Sequence, residues 1–411
     1  NLLYNQFKGK PGIVVSTGPS LSKNKHLLKG LENKALIICP DATLRILIDM
    51  GVKPHLVTAL ERVLKTSELV EGFTEDEVRG VYYAATPVVV KRAYDVYPGP
   101  RIIVYRNFDH FKWLKVDRGI LDIKQSSGNM AFKICDALGC DPIILIGQDL
   151  SYSREGTTHA AGAILGEKQV FYTDVTFEVT GNDGKPILTN PVWNEFRKSY
   201  EVDVSEYKGT CINATEGGAF IKGTQVMPFQ NAIDEFIHET IHTEDIIKHQ
   251  LALFSVEDAR RDAEKIGKLV QITLADMKYL YDSCKTGIEW IESIKPELES
   301  IREKKDEYPG VQNKLALFRS ILQGYKAKVH ERKENFQLFF MHIIQSFYLN
   351  FEIECNGLAN IFDNKIDVEV EYLLRHAKWF AVIGDTAMIC VDLLEKTAAD
   401  IEEKILLEKS S

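Results

Sequence analysis

Glycine and proline divide this chain in two. Residues 1 to 240 hold 21 of the 27 Gly and 11 of the 13 Pro, whereas residues 241 to 411 hold 6 and 2. Both residue types punctuate a chain with turns, so the first part must change direction often and the second is free to form long helices. Charge divides at the same place. There are 27 basic and 29 acidic residues up to 240, then 23 and 30, so most of the net charge of -9 belongs to the second part. An acidic balance of this kind argues against a protein that wraps nucleic acid by neutralising phosphates. With 45% hydrophobic and 27% charged residues over 411 positions, the chain can bury a large core, and its length suggests two or three domains.

In the first part, short β-branched runs alternate with helical patterns. The runs Gly12–Ser16, Ala35–Cys39, His55–Ala59, Val81–Ala84, Arg101–Tyr105 and Pro142–Gly147 read as strands, with helices at Leu21–Leu31, Ala42–Met50, Val88–Tyr94 and Asn129–Leu138. Apolar strands without period-2 alternation, separated by helices, indicate a mostly parallel sheet covered on both faces. The expected fold is therefore a Rossmann-like α/β domain over 1–240, followed by an all-α hairpin or bundle over 241–411. Residues 170–190 interrupt the first domain with a hairpin turning at Gly181-Asn182-Asp183-Gly184, residue types that tolerate positive φ. A strand at Thr210–Asn213, a Gly217-Gly218 turn and a helix near 229–240 complete it.

In the second part, Val270, Leu274, Met277, Tyr281, Cys284, Ile288, Ile291 and Leu298 keep heptad spacing, as do Val311, Leu315, Phe318, Leu322, Tyr325 and Val329. Between them lies Asp306-Glu307-Tyr308-Pro309-Gly310, so the two stripes are expected to face each other as an antiparallel hairpin. More helix follows around 366–405. The stripes suit a core, a docking surface or a homo-oligomer. Seven scattered Cys without CxxC spacing read as reduced, inert thiols rather than a zinc site or disulfide framework, which fits a cytoplasmic location. No apolar run reaches the roughly 18 residues of a membrane span, and the start is no signal peptide. It also lacks Met, and we expect a further domain upstream of Asn1.

The strongest local feature is Ser16-Thr17-Gly18-Pro19-Ser20-Leu21, between the first strand and its helix. Gly18 would let backbone approach a ligand, Ser20 would cap the helix, and the helix dipole with free N–H groups favours phosphate. In a doubly wound sheet, ligands settle outside the carboxyl ends of the strands. Polar residues gather at those ends: Asp41 and Thr43, Glu61, Asn107 and Gln148-Asp149, with Ser126-Ser127-Gly128-Asn129 opening the helix before the sixth strand. Each could serve only as a cap, and their convergence on one rim argues for a site. Beyond Asp149 a polar stretch to His159 reads as a lid. Of the four His before residue 238, only His159 lies in such a segment, and its reference pKa near neutrality suits a general base. Glu216-Gly217-Gly218 by itself is a turn.

Taken together, Thr17-Gly18-Pro19-Ser20-Leu21, Asp41-Ala42-Thr43-Leu44, Gly51-Val52-Lys53-Pro54-His55, Ser127-Gly128-Asn129, Gly147-Gln148-Asp149-Leu150 and Glu216-Gly217-Gly218 resemble the motility accessory factor glycosyltransferases. The central domain of that family is similar to 6-hydroxymethylpterin diphosphokinase-like proteins and to bacterial sialyltransferases. The resemblance covers about residues 10–225, with one departure: His55 stands where an Asp is usual. It implies transfer of a nonulosonic acid, pseudaminic or legionaminic, from its CMP-activated form to Ser or Thr of flagellin, with the helical region presenting the acceptor.

On this expectation Thr17, Gly18, Pro19, Ser20, Asp41, Thr43, Glu61, Ser127, Gly128, Asn129, Gln148, Gly217 and Gly218 hold the donor. His159 is first choice for the base, and Asp149 or Glu216 the second. No tightly bound cofactor is implied, and a need for divalent metal is left open. One alternative is a pterin diphosphokinase using ATP, with Mg²⁺ on carboxylates such as Asp41 and Asp149. Another is a non-catalytic flagellin chaperone.

Overall fold

The computed structural model of the protein describes residues 1–164, 166–168 and 175–410. It resolves into two compact units, Asn1–Lys112 with Asp117–Ser255, and Trp113–Val116 with the chain from Val256 onward.

Among its described residues, the first unit holds ten strands: β1 (Gly12–Val15), β2 (Leu36–Pro40), β3 (Leu56–Ala59), β4 (Tyr82–Ala85), β5 (Arg101–Ile103), β6 (Ile143–Ile146), β7 (Phe177–Thr180), β8 (Pro186–Thr189), β9 (Cys211–Asn213) and β10 (Gln225–Val226). Eight of them form one sheet in the order β10-β9-β6-β1-β2-β3-β4-β5, every pair parallel. All residues of β1, β2, β3 and β6 are buried, as continuous apolar runs require when both faces are covered. The chain steps outward from β1 to β5, then returns to lay β6 on the other side of β1. The order reverses there, between β1 and β6, and the crevice beyond their carboxyl ends is where such a sheet receives a ligand.

The remaining two strands form the expected hairpin, antiparallel from Phe177↔Thr189 to Thr180↔Pro186, with Gly184 at φ 77° in its turn. The part of that insertion assigned to 170–174 lies outside the described residues. Three local expectations change. The helix expected over Leu21–Leu31 is one α-helical turn, Leu21–Asn24, continued as 3-10 helix over Lys25–Leu28. The expected fifth strand ends at Ile103, two residues short, on the exposed edge of the sheet. Finally, the boundary expected at 240 falls at 255. Ile241 and Ile247 pack in the sheet's core, and the Thr243 hydroxyl bonds the Ala35 carbonyl, so the helix Thr243–Leu251 belongs to the first unit.

The second unit holds helices Val256–Lys304, Val311–His330, Met341–Asn356 and Lys365–Ser410, among shorter turns. The turn near residues 305–310 closes the expected hairpin, and the two stripes contribute Met277, Cys284, Leu298, Leu315, Phe318 and Leu322 to one core. The main partner of the first long helix is instead Lys365–Ser410. Gly287 lets the Phe380 ring approach, and Trp379, Phe380 and Ile383 are fully buried. Heptad spacing fixes which face is apolar and leaves the partner undetermined. All seven Cys are free and buried. Among the described residues, no helix is long and apolar enough to cross a membrane, and no group of three or more His, Cys, Asp or Glu is placed to hold a metal ion.

Candidate functional site

Two clefts open at the carboxyl ends of β1 and β6, and Asp149 lines both. The smaller, about 190 Å³, brings together eight of the residues expected at the site: Thr17, Gly18, Asp41, Ser127, Gly128, Gln148, Asp149 and His159. The larger, about 500 Å³, takes Pro19, Ser20, Glu216, Gly217 and Gly218.

Asp149 organises the wall between them. It is 4% exposed, and its carboxylate accepts the Ser20 hydroxyl at 2.7 Å and the Ser20 N–H at 3.2 Å. Its main-chain carbonyl accepts from Ala219 N–H at 2.7 Å, which ties β6 to the Gly217-Gly218 turn. Side chains at Gly18 and Gly218 would collide with Asp149, so glycine at both positions answers to this residue. Burial pushes the Asp149 carboxyl up to about 6, against the opposing pull of Ser20 and Lys23.

These contacts change the expected role of the first loop. Ser20 makes no side-chain cap to the helix, and its N–H is already given to a carboxylate. The helix behind it is a single turn. The longer helix at this rim is Ser127–Leu138, twelve residues long and capped by Ser126, whose hydroxyl accepts from Asn129 N–H at 3.1 Å. The first N–H groups of a helix have no intrahelical acceptor, and Ser127 and Gly128, which carry them here, line the smaller cleft.

Opposite stands Asp41, at the start of the helix Asp41–Asp49 with Oδ1 accepting from Ala42 N–H at 2.8 Å. Burial raises its carboxyl to about 7. Gln148 is fixed by three bonds: its Oε1 accepts the Ser16 hydroxyl at 2.6 Å and the Tyr200 hydroxyl at 2.8 Å, and its N–H donates to Thr215 Oγ1 at 3.1 Å. His159 pairs Nδ1 with the Thr158 hydroxyl at 2.9 Å, and burial lowers its pKa, which favours the neutral form of the imidazole.

Four expected residues have other settings. Thr43 is fully buried with its hydroxyl unbonded, because it sits inside the helix that Asp41 begins. Asn129 is also fully buried, donating to Asp203 at 3.2 Å. Glu61 is exposed and lines neither cleft. Glu216 lines the larger cleft, but its carboxylate accepts from Phe229 N–H and Asn24 Nδ2, each at 3.2 Å, and so closes the N-terminus of Phe229–Phe236. His55, the departure from the family pattern, is buried at the other end of β3. It accepts Ile37 N–H on Nδ1 at 3.0 Å, and burial holds its pKa near 4.

Trp193 and Phe196 line the smaller cleft, and Tyr200, on the same helix Pro191–Glu206, bonds Gln148. Sequence reasoning missed all three. Asn190-Pro191 carried the signal, an N-cap followed by proline at the first helical position. Asn182, foreseen only as a turn residue, donates to the carbonyls of Thr215 and Gly217.

The fold defines a parallel α/β domain with two clefts that share Asp149 at the carboxyl end of β6, joined in the chain to a helical unit. Residues 1–155 match the family model for 6-hydroxymethylpterin diphosphokinase MptE-like proteins. The whole chain is similar in fold to the MAf glycosyltransferase from Magnetospirillum magneticum AMB-1. The TM-score is 0.57 at 13% identity, over 98% of this chain and 57% of that one. This chain thus spans little more than half the length of that protein. No curated protein matches it. The resemblance carried by the motifs therefore meets a family model in the first 155 residues and a solved fold across both units.

Proposed function

We propose that this chain is a protein O-glycosyltransferase that moves a nonulosonic acid, of the pseudaminic or legionaminic type, from a CMP-activated donor to Ser or Thr of flagellin in the cytoplasm. The observation that carries this reading is the smaller cleft, where a helix N-terminus, a glycine loop and the His159 imidazole meet at the switch point. The fold shared with the MAf glycosyltransferase supports it.

In this reading the donor phosphate lies at Ser127-Gly128, and Thr17, Gly18 and Gln148 flank the nucleotide or sugar. The acceptor hydroxyl oxygen forms a bond to the anomeric carbon as the bond from that carbon to the phosphate oxygen breaks. The hydroxyl proton passes to His159, and CMP leaves with its new charge stabilised by the helix N–H groups. The reaction calls for no resident cofactor. The helical unit would present flagellin or pair two copies.

A second reading, an ATP-dependent pterin diphosphokinase, is favoured by the match over residues 1–155. Thermal unfolding with each nucleotide separates the two, because a ligand that binds only the folded state stabilises it. CMP should raise Tm more than ATP with Mg²⁺ at equal concentration, and the reverse order would overturn the transferase in favour of the kinase. Intact-mass analysis of flagellin co-expressed with this chain and a nonulosonate pathway then tests the transfer itself.

A further inference from the structure

We propose that the larger cleft docks the acceptor as an extended, Ser/Thr-bearing polypeptide segment of neutral or basic charge. This rests on the transferase reading of the smaller cleft.

A transferase must bring two substrates to one point from different sides. The two clefts meet that requirement at Asp149, the wall they share. Charge then limits what the larger cleft can take. Carboxylates reach the larger cleft from four separate segments: Asp149 after β6, Glu155 in the stretch beyond it, Asp183 in the β7–β8 turn and Glu216 after β9. Among the described residues that line the cleft, Lys23 and Arg154 oppose them, so carboxylates exceed cations four to two. Arg154 bonds Asp183 at 2.8 Å, and Lys23 donates to the Glu216 carbonyl at 2.6 Å. An acidic peptide is repelled by this surplus. A neutral or Lys-bearing segment is not.

Shape agrees with charge. The cleft is larger than its neighbour, about 500 Å³ against about 190 Å³, and Ile187, Val226, Met227 and Pro228 give it an apolar side. Val226 belongs to β10, which ends the eight-stranded sheet, and both residues of that strand are exposed. A terminal strand offers main-chain groups along which an extended peptide can lie.

Fluorescence anisotropy of the full chain with two labelled synthetic peptides tests this. Both peptides have the same Ser/Thr content, one flanked by Lys and the other by Glu, and CMP affinity is measured alongside. The Lys peptide should bind about tenfold more tightly. Glu155→Lys should remove most of that preference, and Val226→Trp should weaken both peptides, each leaving CMP affinity unchanged. Equal affinity for the two peptides, tighter binding of the Glu peptide, or wild-type behaviour in both variants would overturn the proposal. Preference for the Lys peptide without any CMP binding would uphold the docking site and sink the donor assignment. CMP binding without peptide preference would do the opposite.

Discussion

Ser20 gives both its hydroxyl and its main-chain N–H to one carboxylate, that of Asp149, at 2.7 and 3.2 Å. The first loop is thereby fastened to the end of β6, and Gly18 lies so close beneath the same carboxylate that a side chain there would overlap it. The chain's first glycine loop is a clasp, and the helix N-terminus that lines the smaller cleft is that of Ser127 and Gly128.

If the clasp sets the glycine, Gly18→Ala should destabilise the protein by about 1–3 kcal/mol through overpacking. Asp149→Gly in the same chain should recover part of that loss, since residues in contact are not additive. Urea unfolding of the two single variants and the double variant measures the coupling. Strict additivity would mean that the two residues do not collide.

Phosphate at the second helix rather than the first predicts an asymmetry. Gly128→Val should weaken CMP binding strongly, because Gly128 faces Gln148, Tyr200 and the cleft. Ser20→Ala should lower stability and leave CMP affinity within a few-fold of wild type. Calorimetric titration with CMP distinguishes the two, and the opposite ranking would return the phosphate to the first loop.

The carboxyl of Asp41 is raised by burial from 3.8 in the unfolded chain to about 7 in the fold. Between those values the native state holds the proton and the unfolded state does not. Stability from this group is therefore fully present below about pH 4 and is lost as pH rises through 7. Buried His55 and His376, both lowered to about 4, act in the opposite direction, so the test is a difference. Relative to Asp41→Asn, the wild type should lose stability steadily from pH 4 to pH 7 in denaturant unfolding. Parallel curves would show that Asp41 titrates normally.

His159→Ala should reduce transfer by about 10²- to 10⁴-fold and leave CMP binding nearly intact, the signature of a lost base. Mass analysis of the acceptor and CMP titration together decide it. Unimpaired transfer would move attention to Asp149 and to Glu216, whose Oε1 accepts from both Phe229 N–H and Asn24.

In the helical unit, a Cβ on Gly287 would stand 2.8 Å from the Phe380 ring. Gly287→Leu should destabilise that unit by about 1–3 kcal/mol or more, without changing CMP affinity. A thermal scan read by Trp fluorescence, with CMP titration below the transition, checks both statements.

Much of this architecture was legible from residue order. Unbroken apolar runs such as Ala35–Cys39 read as strands buried on both faces, and their alternation with helices indicates parallel pairing, because each crossover needs a covering element. Heptads and the loss of glycine announced the long helices. The rim was legible too, since loops at strand carboxyl ends follow from strand order alone. Tertiary structure decided which groups on that rim are free. Ser20 and Asp149 are 129 positions apart, and only the return of β6 beside β1 converts a phosphate loop into a clasp. Likewise, Thr43 and Asn129 look like rim residues by spacing, and helix rotation buries both. Spacing also gave Val256–Lys304 an apolar stripe without naming Lys365–Ser410 as its main partner. A local pattern states what a segment can become. Which hydrogen-bonding group meets which, and which helix covers which stripe, depends on contacts between distant segments that exist only once the chain has closed on itself.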